Sequence, residues 1–381
     1  MGDTARLHAS FETEARYDSL AALGGVGNAD NPVFDPADVI THLRPGLRLD
    51  SPGSDVSFQG SARLDWQIYT GLGGPTRDLS YLGASVDGDL VFSRGGPVQF
   101  RLSDHFARSD RSSNPSLGIG SITDANALDA RLDLRPGGGA LEGGLGYSFG
   151  LEQYELHDVG NVGCNQTSCD GTKFAGFGSQ THTAKVDLRW RFLPKTAVLI
   201  EGAWSLRSYS STAQNVETRP LRVYGGLVGL LTEKVRVVLK AGYENAFAQG
   251  TSENFAGVVG QAEVGWEPRE TTKLAFGVLR SVEPVSDLYG WYDDWRAYGS
   301  LSVLFLGKLQ LVLGGNVDQL GFANKDGRTD LQAQANGSLD YDINNLFRIG
   351  LGAVMTYRDS SEAGPFTFQR VEVFGRLAVT Y

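Results

Sequence analysis

The fold is decided by residues 181–204, THTAKVDLRWRFLPKTAVLIEGAW. From Ala184 to Phe192 every even position is apolar or amphipathic, whereas the odd positions carry Lys, Asp and Arg. A period of two predicts a β-strand with one apolar face and one ionic face. Leu193-Pro194-Lys195-Thr196 predicts a tight turn, because proline fixes one backbone angle and cannot continue a ladder. A second alternating strand follows, so the stretch predicts a hairpin.

The ionic face indicates a membrane hairpin rather than part of a soluble sandwich. Soluble sandwiches also alternate, but their strands seldom carry a run of Lys, Asp, Arg and Arg that ends beside two aromatic rings. The apolar face ends in Trp190 and Phe192 at the turn, which is where a membrane–water interface holds amphipathic rings. The polar face would then line a wet interior. The hairpin therefore predicts two strands of a transmembrane barrel.

The composition excludes other classes of protein. The chain has 381 residues and no run of 18 apolar ones, which excludes helical membrane spans. Its mean hydropathy of −0.20 resembles that of a soluble protein, but alternation hides a lipid-facing side from any average. The net charge of −10 comes without a basic tail or stripe, and this argues against nucleic acid as a partner.

The alternation recurs along the whole chain. It predicts an all-β fold, a transmembrane antiparallel up-and-down β-barrel that forms a single domain over residues 1–381. We count about 18 alternating segments, near 5–19, 38–50, 55–70, 79–93, 98–111, 123–135, 140–156, 179–193, 196–211, 219–232, 235–249, 254–267, 272–286, 292–306, 308–322, 329–343, 346–361 and 367–381.

The connections between these segments alternate in length. Short turns such as 51–54 and 94–97 take turns with longer polar stretches such as 20–37 and 157–178. This two-sided asymmetry is typical of bacterial outer-membrane barrels, whose long loops face outward, and an even strand number places both termini in the periplasm. Met1-Gly2-Asp3-Thr4 lacks the basic and apolar regions of a signal peptide. We therefore expect an exported protein whose signal peptide is absent from this chain.

The last strand carries a candidate insertion signal. The sequence VEVFGRLAVTY alternates up to Val379 and ends on the aromatic Tyr381. An alternating last strand with a terminal aromatic residue resembles the signal by which outer-membrane proteins are recognised for insertion, although Phe or Trp is the usual final residue.

The two cysteines, Cys164 and Cys169, lie in the Gly- and Asn-rich stretch GNVGCNQTSCDG. In an oxidising compartment this spacing predicts a local disulfide. A metal site is the alternative, but two thiols without a nearby His or further Cys leave the coordination incomplete. We therefore predict no metal and no cofactor.

Catalytic motifs are weak. Asp104-His105 and His157-Asp158 could each supply an acid–base pair, but neighbouring residues of a strand point to opposite faces. The sequence has no Gly-x-Ser-x-Gly nucleophile elbow and no His spacing suited to a metal. We expect a protein that is not an enzyme.

The polar face of each strand supplies the predicted pore lining, with charges of both signs. One interpretation is a salt-bridged, hydrated wall that keeps the barrel round; the other is a polar conduit that contacts a hydroxyl-rich or acidic solute. The predicted lining residues are Arg44, Arg48, Arg63, Asp65, Asp87, Asp89, Arg101, Asp129, Arg131, Asp133, Lys185, Asp187, Arg189, Arg191, Glu201, Arg207, Arg222, Arg236, Lys240, Asp340, Asp342, Arg348 and Arg376.

Several blocks resemble the putative β-barrel porin 2 family. They are ARYDS (15–19), LRPGLRLD (43–50), ARLDWQIYT (62–70), TAVLIEGAWSLRSY (196–209) and ETRPLRVYGGLVGLLTEKVRVVLKAGYENAFA (217–248). Members of that family often accompany exopolysaccharide gene clusters and are similar to the barrels of poly-N-acetylglucosamine and myxobacterial polysaccharide exporters. The resemblance implies a translocation channel for a secreted polysaccharide that works with a periplasmic polysaccharide-export protein.

We therefore expect a passive outer-membrane conduit for a polysaccharide, surrounded by membrane lipid and lipopolysaccharide. The first alternative is a general or solute-specific porin for small hydrophilic molecules, in which an inward loop narrows the pore. The second is a barrel with a plugged interior that acts as an enzyme or a surface adhesion protein.

Overall fold

Alternating sequence produces strands along the whole described chain. A computed structural model describes residues 5–21, 37–53, 55–72, 79–110, 121–136, 139–156, 178–211, 216–248, 254–285, 290–323, 327–362 and 367–381. Its strands are β1 (Arg6–Asp18), β2 (Asp38–Ser51), β3 (Val56–Tyr69), β4 (Tyr81–Phe92), β5 (Val98–Ser109), β6 (Ser121–Leu134), β7 (Leu141–Leu156), β8 (Ser179–Leu193), β9 (Thr196–Tyr209), β10 (Leu221–Thr232), β11 (Val235–Asn245), β12 (Ala256–Arg269), β13 (Thr272–Pro284), β14 (Trp291–Phe305), β15 (Leu309–Phe322), β16 (Thr329–Asp342), β17 (Phe347–Ser360) and β18 (Phe368–Thr380).

These strands form one closed antiparallel barrel, as the sequence predicts. Each strand pairs with the next along the chain, and β1 pairs with β18 from Ser10 opposite Thr380 to Asp18 opposite Glu372. The predicted hairpin of residues 181–204 is β8–β9, in which Leu193 pairs with Thr196 around the Pro194-Lys195 turn. Within the described ranges no helix is long and apolar enough to cross a membrane.

The two rims of the barrel differ as expected. The connections at 52–55, 93–97, 194–195, 233–234 and 270–271 are short and share what we call the short-turn rim. The opposite, long-loop rim carries the connections 19–37, 70–80, 110–120 and 157–178. Arg6 pairs with Asp50 and Val379 pairs with Phe347, so the start of β1 and the end of β18 both lie at the short-turn rim.

The outer face of the wall is apolar and is bounded by two rows of exposed aromatic rings. Closing an alternating sheet sends one side-chain set outward and the other inward. Outward rings near the short-turn rim include Phe92, Phe100, Trp190, Phe192, Trp266, Phe305, Tyr341 and Phe347, and those nearer the long-loop rim include Tyr17, Trp66, Tyr147, Trp204, Tyr243, Trp295 and Tyr357. The band between the rows is the part of the wall that faces lipid.

Candidate channel interior

All the predicted lining residues lie on strands, on the face opposite the exposed apolar side chains. In β8, for example, Lys185, Asp187, Arg189 and Arg191 alternate with the outward Val186, Leu188 and Trp190, which are exposed. The same alternation places the predicted residues of β2 to β6, β9 to β11 and β16 to β18 inward. Their contact with a conducting path stays a prediction, but their place on the interior face follows from the strand register.

Several of the predicted charges pair across an intervening strand. Arg131 of β6 reaches Asp187 of β8 with 2.7 Å between Nη1 and Oδ1, and the pair passes over Gly144 of β7. A Cβ atom at Gly144 would lie 2.2 Å from Arg131 Nη2 and 2.6 Å from Asp187 Oδ1. The ion pair therefore occupies the space that a side chain at Gly144 would fill.

A second pair of this kind joins β16 to β18. Arg376 donates from Nη2 to both Asp340 oxygens at 2.7 Å, and a Cβ at Gly350 of β17 would lie 2.2 Å from Asp340 Oδ1. Lys240 of β11 likewise reaches Glu201 of β9 at 2.8 Å across β10. Each of these three pairs joins a strand to its second neighbour in the sheet, whereas ladder hydrogen bonds join a strand only to the adjacent one.

The start of the barrel carries a compact cluster around Arg44. Arg44 Nη1 donates to Glu12 at 2.8 Å and to Glu14 at 3.2 Å, and Arg44 Nε lies 3.0 Å from Asp65. Arg63, predicted independently, donates to the same Glu12 at 2.7 Å. The structure thus brings three predicted lining residues together with two glutamates of β1 that the sequence did not single out.

Near the long-loop rim the interior charges are buried. Asp330, with none of its side chain exposed, accepts from Arg328 Nη2 at 2.7 Å and from Arg358 Nε at 3.0 Å. Asp18, equally buried, accepts from Arg370 Nε at 2.9 Å. We name the inward charged residues of this half that are almost fully buried the buried charge belt; it comprises Glu14, Asp18, Asp38, Glu244, Asp294, Asp318, Arg328, Asp330, Arg358, Arg370 and Glu372.

The belt was largely missed by sequence reasoning. Asp18, Asp330 and Arg370 lie at or near strand ends beside loops, where the alternating pattern fades. They do keep the inward parity of their strands, since Asp18 follows Glu14 and Arg16 by steps of two. Parity extended to the last residue of each strand would have found them.

Near the short-turn rim several interior cations are exposed, although Asp340 is buried there beneath Arg376. Arg48 and Arg101 at this rim are 60% and 50% exposed, and Lys185, half-way along β8, is 46% exposed, although each has an acidic neighbour. Arg189 and Arg236 are also exposed and, among the described residues, form no ion pair or side-chain hydrogen bond. This half therefore presents cations that water and solutes can reach.

The end of β13 turns into the interior and narrows it. The ladder between β12 and β13 stops at Gly260 opposite Arg280, and beyond it Val282 packs behind β12 against Val259 and Ala246 of the neighbouring strands. Val282 N donates to Glu244 Oε2 at 3.3 Å, and its carbonyl accepts from Arg222.

The inward segment also reaches the opposite side of this cluster. Arg207 of β9 donates to Pro284 O at 3.4 Å, and Tyr209 donates to Val285 O at 3.3 Å. Strands β9 and β13 are four positions apart in the sheet, so this contact crosses part of the interior. The expectation of an inward element that narrows the barrel thus has a counterpart, formed by a strand end rather than a free loop.

The remaining predicted sites have mixed outcomes. Cys164 and Cys169 lie outside the described residues, so their disulfide stays a prediction. Val379 pairs with Phe11 and Phe347, and Tyr381 is 85% exposed while its N–H donates to Ala9 O at 2.8 Å. This geometry ends the chain on an outward aromatic residue, and its role as an insertion signal stays a prediction.

Known structures resemble this barrel along its whole length. OccAB3 of Acinetobacter baumannii is 10% identical, covers 99% of this chain with 99% of its own, and has a TM-score of 0.51. OccAB4 of the same organism is 11% identical, covers 99% of this chain with 98% of its own, and also has a TM-score of 0.51. At such low identity the likeness shows the fold alone. Comparison with curated protein sequences gives no match.

The family comparison is more specific. A closed antiparallel barrel with an apolar outer band is the form in which β-strands span the bacterial outer membrane. The family described as putative β-barrel porin 2 matches residues 28–381, which is most of the chain and includes every predicted lining residue. The protein is therefore a porin-like outer-membrane barrel that belongs to the putative β-barrel porin 2 family.

Proposed function

We propose that the barrel is a passive channel through which small hydrophilic solutes diffuse across the outer membrane, and that its long-loop half sets the upper size limit of those solutes. Barrels of 16 to 18 strands leave an aqueous interior. The interior face carries charges of both signs, most of them ion-paired, and such a wall offers many weak contacts instead of one tight site. Weak, repeated contacts favour passage over retention. The proposal includes no catalytic role.

The observation that carries this proposal is the inward end of β13. A segment of the wall itself occupies the interior between β9 and β12, held there by Arg207, Arg222 and Glu244. A covalently attached constriction limits the cross-section for every solute, which suits individual small molecules. Apolar packing against Val259 holds the segment in place, while Arg207 and Arg222 beside it are polar groups with which hydroxylated or charged solutes can exchange hydration for contacts.

Export of a polysaccharide is the second candidate. It is supported by the sequence resemblance and by the short-turn half, where exposed Arg48, Arg101 and Arg189 offer contacts to a hydroxyl-rich or acidic polymer. In this candidate the short-turn rim would face a periplasmic polysaccharide-export protein. Membrane lipid and lipopolysaccharide would surround the apolar band in either case.

Planar-bilayer conductance and liposome swelling with sugars of increasing size test the first proposal. We expect steady conductance, swelling with mono- and disaccharides, and a sharp fall for longer oligosaccharides. Arg222→Ala removes the donor to Val282 O and frees the β13 end, so it should raise both the conductance and the size limit. Lys195→Ala, which breaks an exposed pair with Glu233 between two turns and lies outside the predicted lining, is the control and should change neither.

Two outcomes count against small-solute diffusion. A barrel without conductance would reject a channel of either kind. Discrete blockade by long polysaccharide but not by small sugars, together with loss of surface polysaccharide from cells that lack the protein, would favour the export candidate.

A further inference from the structure

The ladder between β12 and β13 ends before either strand does. Beyond the Gly260–Arg280 pair, β12 still pairs with β11 as far as Ala256, and β13 still pairs with β14 as far as Pro284. Residues 256–259 and 281–284 are all described, and no backbone pairing joins them. We call this interruption of the wall the β12–β13 seam.

Side chains close the seam in place of ladder hydrogen bonds. Arg280 Nη1 donates to Val258 O at 3.0 Å and so satisfies a carbonyl on the open edge of β12. On the interior side Val282 and Val259 pack together with 2% and 1% of their surface exposed. A wall closed by side chains opens by local movement, whereas any complete ladder must lose a row of backbone hydrogen bonds to open.

An apolar cavity lies against the seam on the lipid-facing side. Its volume is about 980 Å³, and its walls include Leu239, Val258, Val278 and Trp295. These four side chains belong to the exposed outer face of the barrel. In a bilayer such a cavity is filled by hydrocarbon, because placing water against an apolar surface at that depth is unfavourable.

The same cavity reaches residues whose side chains belong to the interior face. Lys240 and Gln261 line it, yet Lys240 Nζ binds Glu201 at 2.9 Å inside the barrel and Gln261 Nε2 lies 3.4 Å from Tyr298 Oη. Outer-face and interior-face residues therefore line one cavity here, and Gln261, which pairs with Leu279, lies next to the last ladder pair, Gly260–Arg280. Beyond that pair, the packed side chains of the seam separate this cavity from the barrel interior.

The upper edge of the cavity is polar and lies at the level of the aromatic row. Tyr243 pairs with Val258 at the seam, and Trp295 stacks against Arg280 with 4.7 Å from the guanidinium carbon to the ring centre. Arg280 Nη2 donates to Asp293 at 2.8 Å, and Trp295 Nε1 donates to the same carboxylate at 3.2 Å. Polar groups at headgroup level above an apolar cavity match a molecule with one hydrocarbon tail and a polar head.

We propose that the β12–β13 seam is a lateral portal through which single-chain amphiphiles exchange between the membrane and the barrel interior. The tail occupies the cavity beside Val278, and the head lies beside Arg280 and Asp293 before it passes the seam toward Gln261. This function goes beyond diffusion of hydrophilic solutes, since the ligand enters from the lipid and not from either mouth.

A disulfide across the packed Val282–Val259 contact tests the portal. The variant Val259→Cys/Val282→Cys is made in a Cys164→Ser/Cys169→Ser background and placed in nanodiscs with a long-chain lysophospholipid that carries a diazirine in its tail. After irradiation, peptide mapping by mass spectrometry locates the labelled residues. In the reduced protein we expect label on the outer-face residues and also on the interior residues Glu201 and Tyr298, which do not line the cavity. After oxidation the interior label should fall at least ten-fold, and reductant should restore it.

Two controls fix the interpretation. Leu64→Cys/Ala84→Cys, in the same background, joins an outward pair within the continuous β3–β4 ladder, and its oxidation should leave the interior label unchanged. Arg280→Ala removes the donor that bridges the seam and should raise interior labelling at least three-fold, whereas Arg348→Ala should not. Interior label that is absent from the reduced protein, or that persists unchanged after oxidation, overturns the proposal, because the amphiphile then stays outside or enters through a mouth.

Discussion

Ion pairs of similar geometry differ in solvent exposure between the two halves of the barrel interior. Near the long-loop rim Asp330 lies between Arg328 and Arg358, and the three side chains are at most 7% exposed. Near the short-turn rim Arg348 and Asp342 form an equally direct pair at 2.6 Å, yet they are 50% and 38% exposed. Both halves come from the same alternating pattern, so the difference arises from what covers the wall.

The cover explains what each half can do. Strand ends and the segments that follow them pack over the wall near the long loops, as Ala21, Ile40, Tyr69 and Leu79 do in one cluster. Charges beneath such a cover lose water and must be satisfied by one another, which fixes their geometry. Charges in the half near the short-turn rim, which we call the open half, remain hydrated and interact electrostatically with passing ions and solutes. The covered half therefore sets shape, and the open half sets the electrostatic field.

Breaking one ion pair in each half should show the largest difference. Asp330→Ala leaves two buried guanidinium groups without their shared acceptor, and loss of one partner of a buried pair costs about 3–5 kcal/mol of folding free energy. Asp342→Ala breaks an exposed pair worth about 1 kcal/mol or less. Urea-induced unfolding in lipid vesicles measures both. Equal losses in the two variants would show that burial does not distinguish the halves.

Charge reversal in the open half should change selectivity without changing stability. Lys185, Arg189 and Arg236 are exposed, and the two arginines have no ionic partner among the described residues, so the wild-type channel should favour anions. Replacing all three by Glu should shift the reversal potential in a salt gradient toward cation selectivity. Lys234→Glu, in the turn between β10 and β11, is the control and should have a much smaller effect. An unchanged reversal potential would remove the three cations from the conducting wall.

The smallest expected effect is that of ionic strength. Raising salt from about 0.1 M to about 1 M shortens the Debye length from about 10 Å to about 3 Å, so exposed charges act over a shorter range. Anion preference should weaken accordingly, whereas the stability difference between wild type and Asp330→Ala should stay nearly constant. If the stability difference between wild type and Asp330→Ala falls together with the anion preference, then ions from the solution screen the charges of the buried charge belt.

Much of this architecture follows from the sequence because alternation records the two faces of each strand. The β8–β9 hairpin, the closed antiparallel sheet and the unequal rims were all predicted on that basis and are confirmed. The strand-skipping pairs were not predictable in this way. Whether Arg131 reaches Asp187 depends on the register that places Gly144 between them, and register is a relation between strands.

The β13 end shows a second limit of the pattern. Val282 keeps the parity of the outward residues Phe276 and Val278, so alternation assigns it to the lipid-facing side. The structure buries it inside, because β13 leaves β12 at Arg280 and passes behind it. Periodicity describes how a strand divides its side chains between two faces. It does not state which surroundings each face meets once a neighbouring strand is lost.

The glycines beneath the strand-skipping pairs have a mechanical consequence. A sheet held only by hydrogen bonds between adjacent strands can flatten, because each strand can rotate relative to its neighbour about their shared ladder. The ion pairs over Gly144 and Gly350 each span two neighbouring strand–strand ladders and thereby hold the angle between the two strands that flank the glycine. They act as cross-links on the interior face of the barrel, and we expect the local curvature of the wall to depend on them.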